Sequence, residues 1–216
     1  MDRSYFSIDE SLYVERAIAG RVLFNSIKRC FDIAASLILL FILFPVSFLV
    51  ALLHLLESKG SLFFVQKRVG YGGAEFRLLK YRTMVMDAEK DGPRFAEPND
   101  CRVTRIGRFM RVFRIDEVPQ FFNVMKGEMS LVGPRPERPE FIEMLSEEIP
   151  QFKMRLIVKP GLTGWAQVNF PYAGDIVDHH REKLEYDLYY IKNRGIFLDV
   201  KTIFKTIVIV LNKKGT

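Results

Sequence analysis

Asp116 and Glu117 are adjacent carboxylates in the run Arg114-Ile115-Asp116-Glu117-Val118-Pro119-Gln120. Arginines precede them at every third position, at Arg102, Arg105, Arg108, Arg111 and Arg114. An apolar stretch follows, Phe121 to Met125, and then Gly133-Pro134-Arg135-Pro136. The spacing makes Asp116 the first residue of a helix reaching about Lys126, with Pro119 tolerated in its first turn. One account of the pair is local: Asp116 caps the helix and Glu117 is a first-turn acid favoured by the helix dipole. The other is chemical: a carboxylate, arginines and a helix N-terminus together handle a phosphate. Arg135 sharpens the choice. Prolines on both sides stiffen its backbone, and a fixed guanidinium suits a bidentate hold on phosphate oxygens. Taken alone, it reads equally as a surface arginine on a rigid loop.

The chain that must position these groups has 216 residues, 49% of them hydrophobic, with a net charge of +6. That mixture suits a protein lying on an anionic membrane surface or binding anionic substrates, nucleic acid being the competing anion. Cys30 and Cys101 form neither a metal-type spacing nor a disulfide framework, which points to a reducing compartment. The apolar run starts too late, and without a small-residue cleavage site, for a signal peptide.

Residues 1–27 form an N-terminal amphipathic segment, with Ser7 and Glu10 at capping-box spacing. Residues 28–58 contain Ile33 to Leu53, apolar for long enough to cross a bilayer as a helix. Pro45 sits near the centre, where it removes a backbone hydrogen bond and favours a kink. Basic residues flank both ends: Arg21, Lys28 and Arg29 before, Lys59, Lys67 and Arg68 after. A crossing helix normally concentrates them on one side. Balanced flanks favour a re-entrant helix that bends at Pro45 and returns to the same face, with Ser36 or Ser47 satisfying freed backbone groups.

Residues 59–216 read as a small catalytic domain of mixed, helix-rich α/β class. Leu62–Gln66 and Glu75–Met84 make a hairpin about the glycine turn at 70–73. Asp87–Asn99 is a polar loop or short helix, and Arg102–Phe113 a helix. Pro139–Ile149 is a short acidic helix, and Arg155–Val168 reads as strand, turn, strand. Asp178–Lys192 is a helix on which adjacent His179 and His180 diverge by roughly 100° and cannot share a metal. Ile196–Leu211 carries an apolar stripe of the kind found on interfacial helices, packing on the domain being the alternative.

Several ordered motifs resemble the bacterial sugar transferases, the monotopic phosphoglycosyl transferases that act on polyprenyl phosphate. They are Phe64-x-Gln66-x-Arg68-x-Gly70, Phe76-x-x-x-Lys80-Tyr81-Arg82-Thr83-Met84, Thr104-Arg105-Ile106-Gly107, the Asp116-Glu117 run, Met129 to Pro136, Lys159 to Val168, and Leu184-x-x-Asp187-x-x-Tyr190. The family often has Phe where Tyr81 stands, and Leu for Ile115 and Val118. The resemblance implies an enzyme of the bacterial inner membrane, its catalytic domain on the cytoplasmic face. It implies transfer of a sugar 1-phosphate from a UDP-sugar, UDP-glucose or UDP-galactose, to polyprenyl phosphate, releasing UMP.

On that basis Asp116 is the expected nucleophile on the sugar-bearing phosphorus, since a carboxylate can accept a phosphoryl group covalently. Glu117 is expected to hold Mg2+ with Asp116 or to position it. Lys80, Arg82, Arg114 and Arg135 are expected to contact phosphate or nucleotide. Expected partners are the UDP-sugar, polyprenyl phosphate and membrane lipids, with no nucleic acid, and a homo-oligomer is left open. The reading from another class is a membrane-attached basic protein binding nucleic acid or anionic lipid. It explains the charge but neither the acidic pair nor Gly133-Pro134-Arg135-Pro136. A glycosidase is disfavoured, because its two carboxylates flank a bond from separate elements.

Overall fold

The computed structural model describes residues 22–57, 60–88, 90, 100–170 and 176–212. The expected amphipathic segment at 1–27 falls mostly outside them, as does the polar stretch at 91–99.

The first helix, α1 (Val22–Glu57), runs unbroken for 36 residues with Pro45 inside it. Most of its surface is exposed and apolar, including Phe41, Phe44, Phe48 and Leu56. Its buried positions, among them Asp32, Ser36, Ser47, Val50 and His54, recur at helical spacing and form one stripe. The polar side chains of an otherwise apolar helix thus gather where it meets the domain. Ser47 pairs its hydroxyl with that of Tyr81 at 2.7 Å rather than serving a bend, and buried Ser36 Oγ has no hydrogen-bond partner among the described residues.

Two strands follow, β1 (Phe63–Val69) and β2 (Glu75–Tyr81), antiparallel from Phe63↔Tyr81 to Val69↔Glu75. The turn between them places Gly72 and Gly73 at φ 65° and 83°, where glycine alone is unstrained. The expected hairpin is present. Its second strand stops at Tyr81, and Met84 bridges Val103 instead.

Helix α2 (Arg105–Val112) begins three residues later than Arg102, because Thr104 caps it, its hydroxyl accepting from Gly107 N at 2.9 Å. Glu57, at the far end of α1, caps the same turn, accepting from Arg105 N at 3.0 Å and Ile106 N at 2.9 Å. The α1 N-terminal half is tied equally firmly. Arg29 donates to Val124 O and Met125 O at 2.5 and 2.6 Å, Asp32 accepts from Ser130 Oγ at 2.7 Å and Leu131 N at 3.2 Å, and Lys28 pairs with Asp199 at 2.6 Å.

The expectation that Asp116 starts a helix is corrected. Arg114 is left-handed at φ 53° and turns the chain. Ile115–Glu117 then forms one 3-10 turn, and α3 (Gln120–Lys126) starts only after Pro119, which has no N–H to continue a ladder. The expected strand, turn, strand over Arg155–Val168 is also corrected. Pro150–Ile157 is 3-10 helix, β4 (Gly161–Thr163) pairs in parallel with β3 (Ser130–Val132), and Trp165–Asn169 is helix α5, following α4 (Pro139–Glu148) in the chain. Close backbone approach selects this arrangement: a Cβ on Gly161 would meet Gly133 N at 2.1 Å.

Helices α6 (Ile176–Asn193) and α7 (Ile196–Leu211) lie close to their expected bounds. On α6, His179 and His180 pack on Phe170 and Phe152. On α7, Leu198, Asp199 and Thr202 face the domain, while Phe197, Val200, Phe204 and Leu211 are exposed, so the apolar stripe points outward. The core, including Val124, Met129, Leu145, Phe152, Leu184 and Ile191, joins α3, β3, α4 and α6.

Gly107 lets α2 lie on the end of β2, since a Cβ there would fall 2.1 Å from Thr83 O. Gly107→Ala is expected to destabilise by roughly 1–3 kcal/mol through overpacking, despite the better helix propensity of alanine. Thermal unfolding in detergent reads this as a drop of several degrees, about 2–4 °C per kcal/mol.

Candidate active site

Cations from three parts of the chain converge on Glu117. Its Oε1 accepts from Arg135 at 2.8 Å and from Lys80 at 3.3 Å, and its Oε2 faces Arg114 at 3.4 Å. Lys80 comes from β2, Arg114 from the residue turning the chain, and Arg135 from the loop after β3. Buried Asn123 fixes α3 against β2, accepting from Leu79 N at 3.0 Å and donating to Arg77 O at 2.7 Å. The 3-10 turn is thereby held against the strand that carries Lys80.

Asp116 sits one residue away in a different electrostatic setting. It is 7% exposed and, among the described residues, makes no side-chain hydrogen bond. The charges acting on it come from Lys80, Glu117, Arg111 and Arg135. Burial raises its carboxyl to about 6, against the pull of Lys80 and with a further push from Glu117. Burial acts on Glu117 too, but Arg135, Lys80 and Arg114 overcome it and hold that carboxyl well below its usual range. The neighbours therefore divide: Glu117 is a permanently ionised anchor, Asp116 a free carboxylate in a cationic pocket.

Lys80, Arg114 and Arg135 thus meet at the acidic pair, as the sequence suggests. Arg82 lies elsewhere. It is buried, its charge acts on His54 of α1, and a Cβ on Gly60 would stand 3.3 Å from its guanidinium. Arg111 takes a place at the site instead, donating from Nε to Thr83 Oγ1 at 2.9 Å while its charge acts on Asp116. The three-residue arginine repeat signals that some of its members face the centre, and the α2 register selects Arg111. Asn123 and Asp32 carry a weaker signal: a polar residue inside an apolar run, costly there unless bonded.

Residues 23–213 match the family model described as bacterial sugar transferase. The chain belongs to that family. It is 49% identical over 189 residues to the UDP-N-acetylgalactosamine-undecaprenyl-phosphate N-acetylgalactosaminephosphotransferase of Aeromonas hydrophila, covering 88% of this chain and 44% of that protein. To the undecaprenyl-phosphate glucose phosphotransferase of Komagataeibacter xylinus it is 45% identical over 186 residues, covering 83% and 35%. To the UDP-glucose:undecaprenyl-phosphate glucose-1-phosphate transferase of Caulobacter vibrioides it is 40% identical over 190 residues, covering 87% and 70%. The chain spans less than half the length of the first two.

The donor set of this bacterial sugar transferase bears on Mg2+. No cluster of three or more His, Cys, Asp or Glu side chains converges among the described residues. Both Glu117 oxygens already face cations, whereas the Asp116 carboxylate is uncommitted. Such a site fits Mg2+ held by one carboxylate together with substrate phosphate oxygens.

The raised Asp116 carboxyl carries a stability cost of fixed sign. The folded protein binds this proton more tightly than the unfolded chain does. Stability from this group is therefore lost as pH rises from about 4 to about 6 and stays lost above. Asp116→Asn is expected to stabilise the protein at pH 8, by on the order of 2–3 kcal/mol, and so to raise its melting midpoint, with the gain vanishing by pH 4. Glu117→Gln is expected to lower it at pH 8, because three cations lose their anion. Thermal melts across pH compare the two.

Proposed function

We propose that the protein transfers a hexose or N-acetylhexosamine 1-phosphate from a UDP-sugar to undecaprenyl phosphate, with Asp116 as covalent acceptor. One Asp116 oxygen attacks the sugar-bearing phosphorus. The bond from that phosphorus to the oxygen bridging the two phosphates breaks, and UMP leaves with the electron pair. An oxygen of the lipid phosphate then attacks the same phosphorus, the acyl phosphate bond breaks, and the Asp116 carboxylate is regenerated. No proton need be supplied to a poor leaving group, because a phosphate departs in one step and a carboxylate in the other.

The observation that carries this reading is the contrast within the acidic pair: an uncommitted buried carboxylate beside one neutralised by three cations. Arg135 and Lys80 are placed to take up phosphate charge as it redistributes, at no cost in reorganisation. Arg111 offsets the charge of Asp116. Asp116 and the donor's own phosphate oxygens would hold Mg2+, which when bound supplies further charge neutralisation on the diphosphate. The names of the relatives, with N-acetylgalactosamine for one and glucose for others, support the substrate class and leave its sugar to be measured.

We place the catalytic domain at the cytoplasmic face of the inner membrane, with α1 entering the bilayer and returning. Support comes from composition and attachment: α1 is long and apolar enough to cross a membrane, yet its residues near both ends bond to the same domain. A lipid phosphate can then reach Asp116 without leaving the interface.

Incubation with UDP-N-acetylgalactosamine or UDP-glucose, Mg2+ and no lipid is expected to give UMP and a protein adduct heavier by one phosphosugar. Undecaprenyl phosphate should then discharge the adduct. Asp116→Asn should abolish both steps, and full activity in that variant would sink the assignment. For topology, single cysteines at Asn25 and Ser61, with Cys30 and Cys101 replaced by serine, are expected to show the same accessibility in intact cells. Opposite accessibilities reject the re-entrant helix.

A further inference from the structure

Four successive carbonyls of the loop carrying Arg135 are each held by a different donor. Pro134 O accepts from Gly161 N at 2.9 Å, and Arg135 O from Arg155 at 2.9 Å. Pro136 O accepts from Arg68 at 2.9 Å, and Glu137 O from Val69 N at 2.9 Å. Two of those donors are backbone groups of strands or their ends. The other two are side chains that the reaction itself does not require.

Arg155 is the more deeply placed of the two, 2% exposed. It lies over the Phe152 ring at 4.9 Å and binds Asp187 through Nε at 3.1 Å and through a terminal nitrogen at 2.7 Å. That same terminal nitrogen reaches Arg135 O, and the other stands 3.6 Å from Glu137. Glu137 is itself paired with Lys183 at 2.7 Å and with Arg68 at 3.6 Å. A buried ionic network is a poor source of net stability, because desolvation offsets most of its attraction. It is a good source of geometry, since each planar fork fixes its partners in direction as well as distance.

Among the described residues, Arg155 bonds to the active site at the backbone of Arg135. Prolines at 134 and 136 restrict the loop's dihedrals, and the held carbonyls fix its place. The Arg135 side chain is thereby aimed at Glu117 Oε1, 2.8 Å away. We propose that Arg155, set by Asp187 and assisted by Arg68, is a positioning residue for Arg135, acting on the donor's phosphates only through that loop. This rests on the reading of Arg135 as a phosphate-binding group.

The test is a double-mutant cycle on the full chain in detergent, with UDP-N-acetylgalactosamine and UDP-glucose as donors and UMP as a binding probe independent of turnover. Arg155→Lys keeps the charge facing Asp187 but cannot hold both Asp187 and Arg135 O in one planar fork. It is expected to fold, to weaken UMP binding about tenfold and to lower kcat/KM by about 10²-fold, the scale of a small misplacement of a binding group. Arg135→Ala should lose at least as much. The double variant should then be no worse than Arg135→Ala alone, because an effect exerted through Arg135 has nothing left to act on. Additive losses would show that Arg155 merely supports the fold, and overturn the proposal. Normal UMP affinity in Arg155→Lys overturns it too. If Arg155→Lys melts below the assay temperature, Arg68→Lys, half-buried and bonded to Pro136 O, carries the same cycle. UMP binding unchanged in Arg135→Ala would instead reject the phosphate role of Arg135, a failure of the functional reading that the cycle separates from the others.

Discussion

One buried carboxylate, Glu117, organises the catalytic half of this molecule. Lys80, Arg114 and Arg135 approach it from three directions, and each is delivered by a different element. Without the anion, three cations would crowd a partly desolvated site, at a cost of several kcal/mol. With it, they are held around a centre that retains positive charge, because one carboxylate cannot neutralise three cations. That excess explains why Asp116, adjacent in sequence, need not be paired to be ionised at neutral pH. It also explains why a doubly charged diphosphate would enter.

The same economy governs the attachment of the apolar helix. An amphipathic helix normally meets its domain with an apolar stripe, and here that stripe is mixed with polar groups. Asp32, Ser47, Arg29 and Glu57 face the domain beside Ala35, Leu40, Leu43 and Val50, and most of the apolar side chains face out. The arrangement follows from the solvent on the other side. Apolar surface facing lipid loses nothing, whereas a polar group facing lipid costs several kcal/mol unless bonded. Directional bonds to α2, α3 and β3 then set the angle of the helix to the active site more sharply than apolar contact would. Asp32 matters most, because it holds the strand that leads into Gly133 and Arg135.

Much of this was legible in the chain. The apolar run, the hairpin and the helices at 139–148, 176–193 and 196–211 carry strong periodicity, and the acidic pair with the flanked Arg135 announces its chemistry by residue type. What was not legible depends on single dihedrals or on close approach. Arg114 adopts a left-handed conformation that its side chain does not advertise, so a 3-10 turn replaces the expected helix start at Asp116. Gly161 and Gly164 lie in the run expected as strand, turn, strand, but with Gly133 they bring two backbones together, and a parallel pair forms there instead. The strand ends at Tyr81, between Lys80 and Arg82, and the Arg82 charge acts on His54 of α1, while that of Arg111 acts on Asp116.

Asp116 and Glu117 show why adjacency is useful here. On a regular helix, neighbours diverge by about 100° and would face different surroundings by rotation alone. On one 3-10 turn held by Arg114 they diverge similarly, but both stay buried, so the difference arises from partners rather than exposure. Burial raises both carboxyls, and only Glu117 has enough cations in contact to reverse it. The result is a carboxylate that is mostly ionised at neutral pH, and under the proposed mechanism it would be basic enough to form a bond to phosphorus and weakly basic enough to leave again. A carboxylate bonded as Glu117 is would be too stabilised to attack. One as exposed as a surface aspartate would be solvated and slow. Two of the cations on Glu117, Lys80 and Arg135, also act on Asp116 directly and, with Arg111, lower its carboxyl against burial and the push of Glu117.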